Sequence, residues 1–320
     1  MNEVQLIDKY LKRLTKKNNS SQGLKDDIFF NKSKRLAISI DTYVEKVHFP
    51  NFKVPDLVIK KILRSSLSDL ICKGVKPKYY FISASGNSKS FSNKNLKKIS
   101  NSLSSEQKRF DIELSGGDTV YSSVNSFTCC VVGFSNKIVK RNYSKVGDDI
   151  YITGHLGDSF LGLQILKKRV SLSKSLKKYF VSKFYMPSIN LRMVDFLQKF
   201  ANTSIDISDG LLVDLNKMIK EQKYGFLIKL DDIELSNQLK KVLNRNKRFK
   251  IENIIFNGDD YEIIFTSNKK NRSSITRYSK NNNLKIQRIG KILKKHRDSC
   301  ILKGNKKFKI NKNPGYIHQF

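Results

Sequence analysis

Leu36, Ile38 and Ile40 alternate with Ala37 and Ser39, the period of two that marks a strand, and the run stops at Asp41. A carboxylate therefore stands where a sheet ends and a loop begins. Similar runs predict strands over 79–85, 112–114, 127–134, 150–153, 204–207, 226–230, 262–265 and 286–292. Elsewhere the spacing changes to three and four. Val58, Ile59, Ile62, Leu63, Leu67, Leu70 and Ile71 share one helical face over 55–73, with Pro55 opening the helix and Gly74 following it. Further helices are predicted over 4–14, 96–110, 160–168 and 211–220. A new strand–turn–helix unit begins after the basic turn at 141–147. A boundary is expected there, giving domains 1–140 and 141–320.

Length and composition agree with that division. At 320 residues, 39% of them hydrophobic, the chain supports two cores. No apolar run approaches the roughly 18 residues of a membrane span. The first twenty residues are too charged for a signal peptide, so a soluble, cytoplasmic protein is expected. Cys72, Cys129, Cys130 and Cys300 form no C-x-x-C pair. They read as buried free thiols, with Cys129 and Cys130 on opposite faces of a strand. The net charge of +34 (62 basic, 28 acidic) is spread along the whole chain. It reads as general surface basicity that attracts polyanions, including nucleotide phosphates, and no dedicated nucleic-acid partner is expected.

Against this basic background, single aspartates recur at strand ends and turns: Asp27, Asp41, Asp69, Asp118, Asp206 and Asp209. Asp26-Asp27 reads locally as a helix cap, with a metal arm as the alternative. Asp69 lies near the end of its helix, where the macrodipole opposes it. Gly116-Gly117-Asp118 is either a plain turn or a close backbone approach to phosphate. Gly154 to Ser159 lacks a phosphate-loop fingerprint and reads as tight strand-to-helix packing. Asp206 and Ser208 share one strand face beside Asp209 and Gly210, a set suited to a hard cation or a nucleotide. Asn257 to Glu262 is an acidic turn able to face a cationic group. Tyr316 either packs down with the tail or caps a flat heteroaromatic ring.

Taken in order, these segments resemble the thiamine-monophosphate kinase family, of the ATP-dependent aminoimidazole-ribotide-synthetase-like superfamily. The matching pieces are Asp26-Asp27, Ile38 to Thr42 with His48-Phe49, Leu67-Ser68-Asp69 and Gly116 to Thr119. Arg141, Gly147-Asp148, Thr153-Gly154, Gly157 to Ser159, Pro187, Arg192, Ile205 to Leu211, Gly258 to Glu262 and Gly315-Tyr316 complete the series. The resemblance spans essentially the whole chain. It implies an α/β fold of the α+β type in two domains, the N-terminal sheet pairing with a second subunit's sheet so that the active site lies across a homodimer. It implies ATP as co-substrate, several Mg²⁺ ions, and in-line transfer of the γ-phosphoryl group to thiamine monophosphate. Asp27, Ser39, Asp41, Asp69, Asp118, Asp206 and Asp209 would hold metal, with Asp41, Asp118 and Asp209 as the catalytic carboxylates. Gly117, Asp118, Arg141 and Ser208 would contact ATP; His48, Asp259 and Tyr316 would contact thiamine phosphate. The chain departs from the family pattern at Lys25, Ile40, Ser66 and the segment Asn257 to Asp260. An aminoimidazole ribotide synthetase-like enzyme is the nearest rival. The cysteines required by selenophosphate synthetases and hydrogenase-maturation proteins are missing from their places. A basic RNA-binding protein would leave the ordered aspartates idle.

Overall fold

In a computed structural model, which describes residues 1–246, 249–304, 306–308 and 315, the chain builds two sheets. The first comprises β1 (Phe29–Asn31), β2 (Leu36–Val44), β3 (Lys76–Gly86), β4 (Glu113–Gly116), β5 (Thr119–Tyr121) and β6 (Ser126–Phe134). Their order is β1-β2-β6-β3-β4, with β5 also on β3. β2 and β3 flank β6 antiparallel, setting Ile40 opposite Cys130 and Asp41 opposite Cys129. The helices α1 (Glu3–Leu6), α2 (Pro55–Cys72) and α3 (Asn93–Phe110) belong to this half of the chain.

The period of two separates the faces of this sheet. Ala37, Ser39, Tyr43, Phe127, Cys129 and Val131 are buried on the face that meets α2. On the opposite face Ile40, Phe81 and Phe134 are exposed, among half-buried Ile38, Tyr79, Cys130 and Val132. At 67% exposed, Ile40 is an apolar residue that the chain leaves in water.

The second sheet comprises β7 (Asp149–Thr153), β8 (Thr203–Asp206), β9 (Gly225–Lys229), β10 (Ile263–Ser267), β11 (Ile286–Leu293), β12 (Cys300–Lys303) and β13 (Lys306–Phe308). They lie in the order β13-β12-β9-β11-β7-β10-β8. Packed with them are α4 (Asp158–Leu166), α5 (Lys174–Tyr185), α6 (Met193–Phe200), α7 (Leu211–Ile219), α8 (Asn237–Arg245), α9 (Glu252–Ile255) and α10 (Arg272–Asn281). β7, β8 and β10 are buried along their whole length, including polar Asp149, Ser204, Asp206 and Thr266. Tyr151 stacks on Phe265 at 5.1 Å, and both join the core beneath the first sheet. Ile150, Ile152 and Ile264 face a second core on the other side.

Most predicted elements are present within a few residues of their expected ends. The helix over 4–14 is not regular: α1 ends at Leu6, and a wide turn then a tight turn carry the chain to Thr15. Val4, Tyr10, Leu11 and Leu14 stay exposed, so no packing holds that stretch to one helical period. Cys130 and Cys300 are only partly buried, unlike Cys72 and Cys129, and all four are free thiols. Among the described residues no helix is long and apolar enough to cross a membrane.

Candidate active site

The strand does not stop at Asp41: β2 stays paired with β6 through Thr42 and Tyr43 to Val44, so Asp41 stands inside it. The middle of β2 meets the last turn of α2, and that junction collects the first acids. Ser39 Oγ donates to Asp69 Oδ2 at 2.5 Å, and Tyr43 donates its phenolic hydrogen to Asp41 Oδ2 at 3.2 Å. Asp41 and Asp69 lie close enough for each to perturb the other's titration. Burial pushes the Asp69 carboxyl well up, and the charges of Asp41 and Asp206 push it further; burial likewise raises Asp41. Asp206 arrives at the end of β8, accepts from Ser68 Oγ at 2.5 Å, and is pushed by burial up to about 6. Three carboxylates thus face one another with too few cations for all to ionise.

The remaining acids carry cations of their own. Lys73, fully buried, reaches Asp26 Oδ1 and Asp27 Oδ2 at 2.8 Å each and donates to the Ser204 carbonyl at 2.7 Å. Arg141 pairs with Asp27 through both Nε and Nη2, and its backbone N–H donates to Asp26. The Asp26-Asp27 pair therefore caps no helix; the next regular element is β1. Asp209 pairs with Lys217 of α7. The turn that carries Asp209 is fixed by Asp214, whose carboxylate accepts the Asp209 and Gly210 N–H groups at 2.9 Å.

Two glycines let the neighbouring turns close on each other. A Cβ on Gly258 would run into the Ser208 carbonyl, and one on Gly210 into the Phe256 carbonyl. Gly210 also has φ of +131°, which side-chain-bearing residues rarely adopt. Beyond Gly258, Asp259 (φ +72°) donates its N–H to the Ser208 carbonyl at 2.8 Å, and Tyr261 (φ +53°) donates to the Ile207 carbonyl at 2.9 Å. Asp260 turns inward and accepts from the Gly157 and Ser159 N–H groups. This is the tight strand-to-helix packing expected of that glycine turn.

These segments line a cleft of about 810 Å³ that runs into a chamber of about 370 Å³. Asp41, Asp69, Asp206, Ser208 and Asp209 border both; Asp27 and Arg141 lie on the chamber, His48 and Asp259 on the cleft. His48 Nδ1 accepts the Val44 N–H at 2.9 Å, which places the neutral ring's hydrogen on Nε2. Ser39 sits just behind Asp69. Gly117 and Asp118 line neither space; they are exposed beside β4. Tyr316 lies outside the described residues, although Gly315 rests against Val213 and the Asp209 carbonyl. Among the described residues no group of three or more His, Cys, Asp or Glu forms a ready-made metal cage. The mutual crowding of Asp41, Asp69 and Asp206 fits divalent cations.

Sequence reasoning missed Glu3, which borders both spaces, and the cations Lys61, Lys73 and Lys217. Lys61 had a signal, since it interrupts the apolar face of α2 between Val58 and Ile62. The acidic turn is also less free than expected, because Asp259 is already paired with Lys61 at 2.6 Å.

Glu262, behind this turn, yields a pH prediction. It is partly buried and accepts from Thr153 Oγ1, and desolvation raises its carboxyl to about 7. A raised acid binds more protons folded than unfolded, so its contribution is full below about pH 4.5 and lost as pH rises through about 7. The loss amounts to about 3 kcal/mol. Glu262→Gln is expected to flatten that part of the stability curve in urea titrations; an unchanged slope would remove Glu262 as its source.

Residues 25–135 match the family described as AIR synthase related protein, N-terminal domain. The thiamine-monophosphate kinase of Buchnera aphidicola from Acyrthosiphon pisum is 34% identical over 99% of this chain and 98% of its own length. Its counterpart from Buchnera aphidicola subsp. Schizaphis graminum is 35% identical, also over 99% and 98%. Among solved structures, AaThiL complexed with AMPPCP and TMP superposes with a TM-score of 0.84 at 26% identity, covering 99% of this chain and 97% of that one.

Proposed function

The chain belongs to the thiamine-monophosphate kinase family, and on that premise we propose that it transfers the γ-phosphoryl group of ATP to thiamine monophosphate, giving ADP and thiamine diphosphate. The observation that carries this reading is the convergence of Asp27, Asp41, Asp69, Asp206 and Asp209, from separate segments of a strongly basic chain, on one cleft and its adjoining chamber. Such an arrangement suits a reaction between two phosphate-bearing molecules. At an effective dielectric of about 20, two unit charges roughly 4 Å apart repel by about 4 kcal/mol.

Asp27, Asp41, Asp69, Asp206 and Asp209 would hold Mg²⁺, with Ser39 orienting Asp69. When bound, Mg²⁺ supplies the positive charge that offsets repulsion between donor and acceptor phosphates. Arg141 and Ser208 contact the nucleotide. His48 offers its Nε2 hydrogen to the substrate, while Asp259 and Tyr316 meet the thiamine rings. The acceptor phosphate is already ionised, so in-line attack needs positioning more than a general base. That accords with a cleft lined by carboxylates.

The reading includes a homodimer. The exposed face around Ile40, Phe81 and Phe134 is apolar enough to pair with a second copy. Gly117 and Asp118 stand beside that sheet and away from their own subunit's cleft, and we assign them to the cleft of the neighbouring subunit. We put the domain boundary near 140–147, in the stretch that joins β6 to β7. The cytoplasm is the compartment where ATP and this chemistry meet.

Incubating the purified protein with ATP, Mg²⁺ and thiamine monophosphate should yield thiamine diphosphate and ADP in equal amounts. ADP without thiamine diphosphate would reduce the protein to an ATPase, and no product of either kind would overturn the reading.

A further inference from the structure

Lys61 is 1% exposed and sits on the apolar face of α2. An ammonium group there carries a desolvation cost that something must offset. Its Nζ is 2.6 Å from Asp259 Oδ1, 3.4 Å from the Phe184 carbonyl, 4.0 Å from the centre of the Phe184 ring and 5.2 Å from that of Tyr261. Among the described residues Asp259 is the only carboxylate paired with it. The pair is lopsided: the lysine is sealed in, whereas Asp259 keeps 26% of its side chain exposed on the cleft wall. Backbone geometry holds Asp259 from the other side, through its bond to Ser208 and its positive φ.

We propose that Lys61 is a positioning residue for substrate recognition. It fixes the Asp259 carboxylate and cancels its charge, so that Asp259 meets the amino-bearing ring of the substrate as an oriented hydrogen-bond acceptor instead of a bare anion. This rests on the reading that Asp259 contacts thiamine monophosphate. The cationic part of that substrate then finds its electrostatic partner elsewhere in the cleft.

The test is a double-mutant cycle read as KM for each substrate. Asp259→Asn and Lys61→Met are each expected to raise KM for thiamine monophosphate by about tenfold, the scale of one charge-assisted hydrogen bond, with KM for ATP unchanged. The double variant K61M/D259N should match D259N alone, because Lys61 acts only through Asp259. A further rise in the double variant would overturn the proposal, as would equal shifts for both substrates. Tighter binding by K61M would also overturn it, since a freed anion would then be what the cation seeks. Should K61M fail to fold with an unpaired buried charge, the comparison of D259N with the double variant still decides. Titration calorimetry with thiamine monophosphate reads the same coupling without turnover. Coupling in a protein that makes no diphosphate would sink the proposed reaction but keep this inference.

Discussion

Asp41→Asn is expected to lower turnover by about 10³-fold, the scale lost when a charge-stabilising group leaves a phosphoryl-transfer site, while the protein stays folded. Asparagine keeps the shape of the side chain and an oxygen for the Tyr43 hydroxyl. It removes one of the three acids that crowd one another at the floor of the cleft. Without Mg²⁺ the variant should therefore melt no lower than the parent, and even a little higher, because Asp69 and Asp206 lose a repelling neighbour. The stabilisation that Mg²⁺ and nucleotide give the parent should shrink in the variant. Differential scanning fluorimetry and steady-state kinetics read both effects. Near-normal turnover would take Asp41 out of the metal site.

The second large effect concerns a residue outside its own cleft. Asp118→Asn should be as inactive as Asp41→Asn, yet the two inactive proteins, mixed and allowed to exchange subunits, should regain about a quarter of parental activity. Half of the reassorted dimers pair one variant with the other. In each of these, one cleft carries both lesions and the other carries neither. If Asp118 served its own subunit, every cleft would keep a lesion and no activity would return. Differently tagged subunits, purified through both tags, make the comparison independent of exchange rate. Inactive heterodimers would return Asp118 to its own chain.

The sequence displays this site unevenly, for physical reasons. Asp69, Asp206 and Asp209 are legible because each breaks a local rule, opposing a helix dipole or standing beside a serine at a turn. Asp41 stands out as a charge after an apolar alternation, although it lies inside β2 and does not end it. Their convergence is not legible, since nothing local says that the middle of β2 meets the end of β8. Asp26-Asp27 is misread because a cap and a partner for buried Lys73 and Arg141 look identical until the distant cations are in place. Lys73 and Lys217 stay hidden in a chain with 62 basic residues, where one more lysine stands out only by its burial. α5, α6, α8 and α10 go unpredicted because lysines and polar residues blur their apolar stripes, although α6 buries five of its eight residues. In the second sheet β7 to β11 are legible from their isoleucines and phenylalanines, whereas β12 and β13 are hidden in a lysine-rich tail.

One helix ties these parts together. α2 packs on β2 and β6 of the first sheet and reaches β8 of the second. Through Lys61 it is bolted to the Asp259 turn, and through Ser68 to Asp206. Swinging the two sheets apart would drag a sealed ammonium out of its aromatic box, so the hinge-like closing used by many two-lobed enzymes is a costly motion for this molecule. Admission and release of reactants then fall to the rim, leaving the floor a stationary anvil throughout the catalytic cycle.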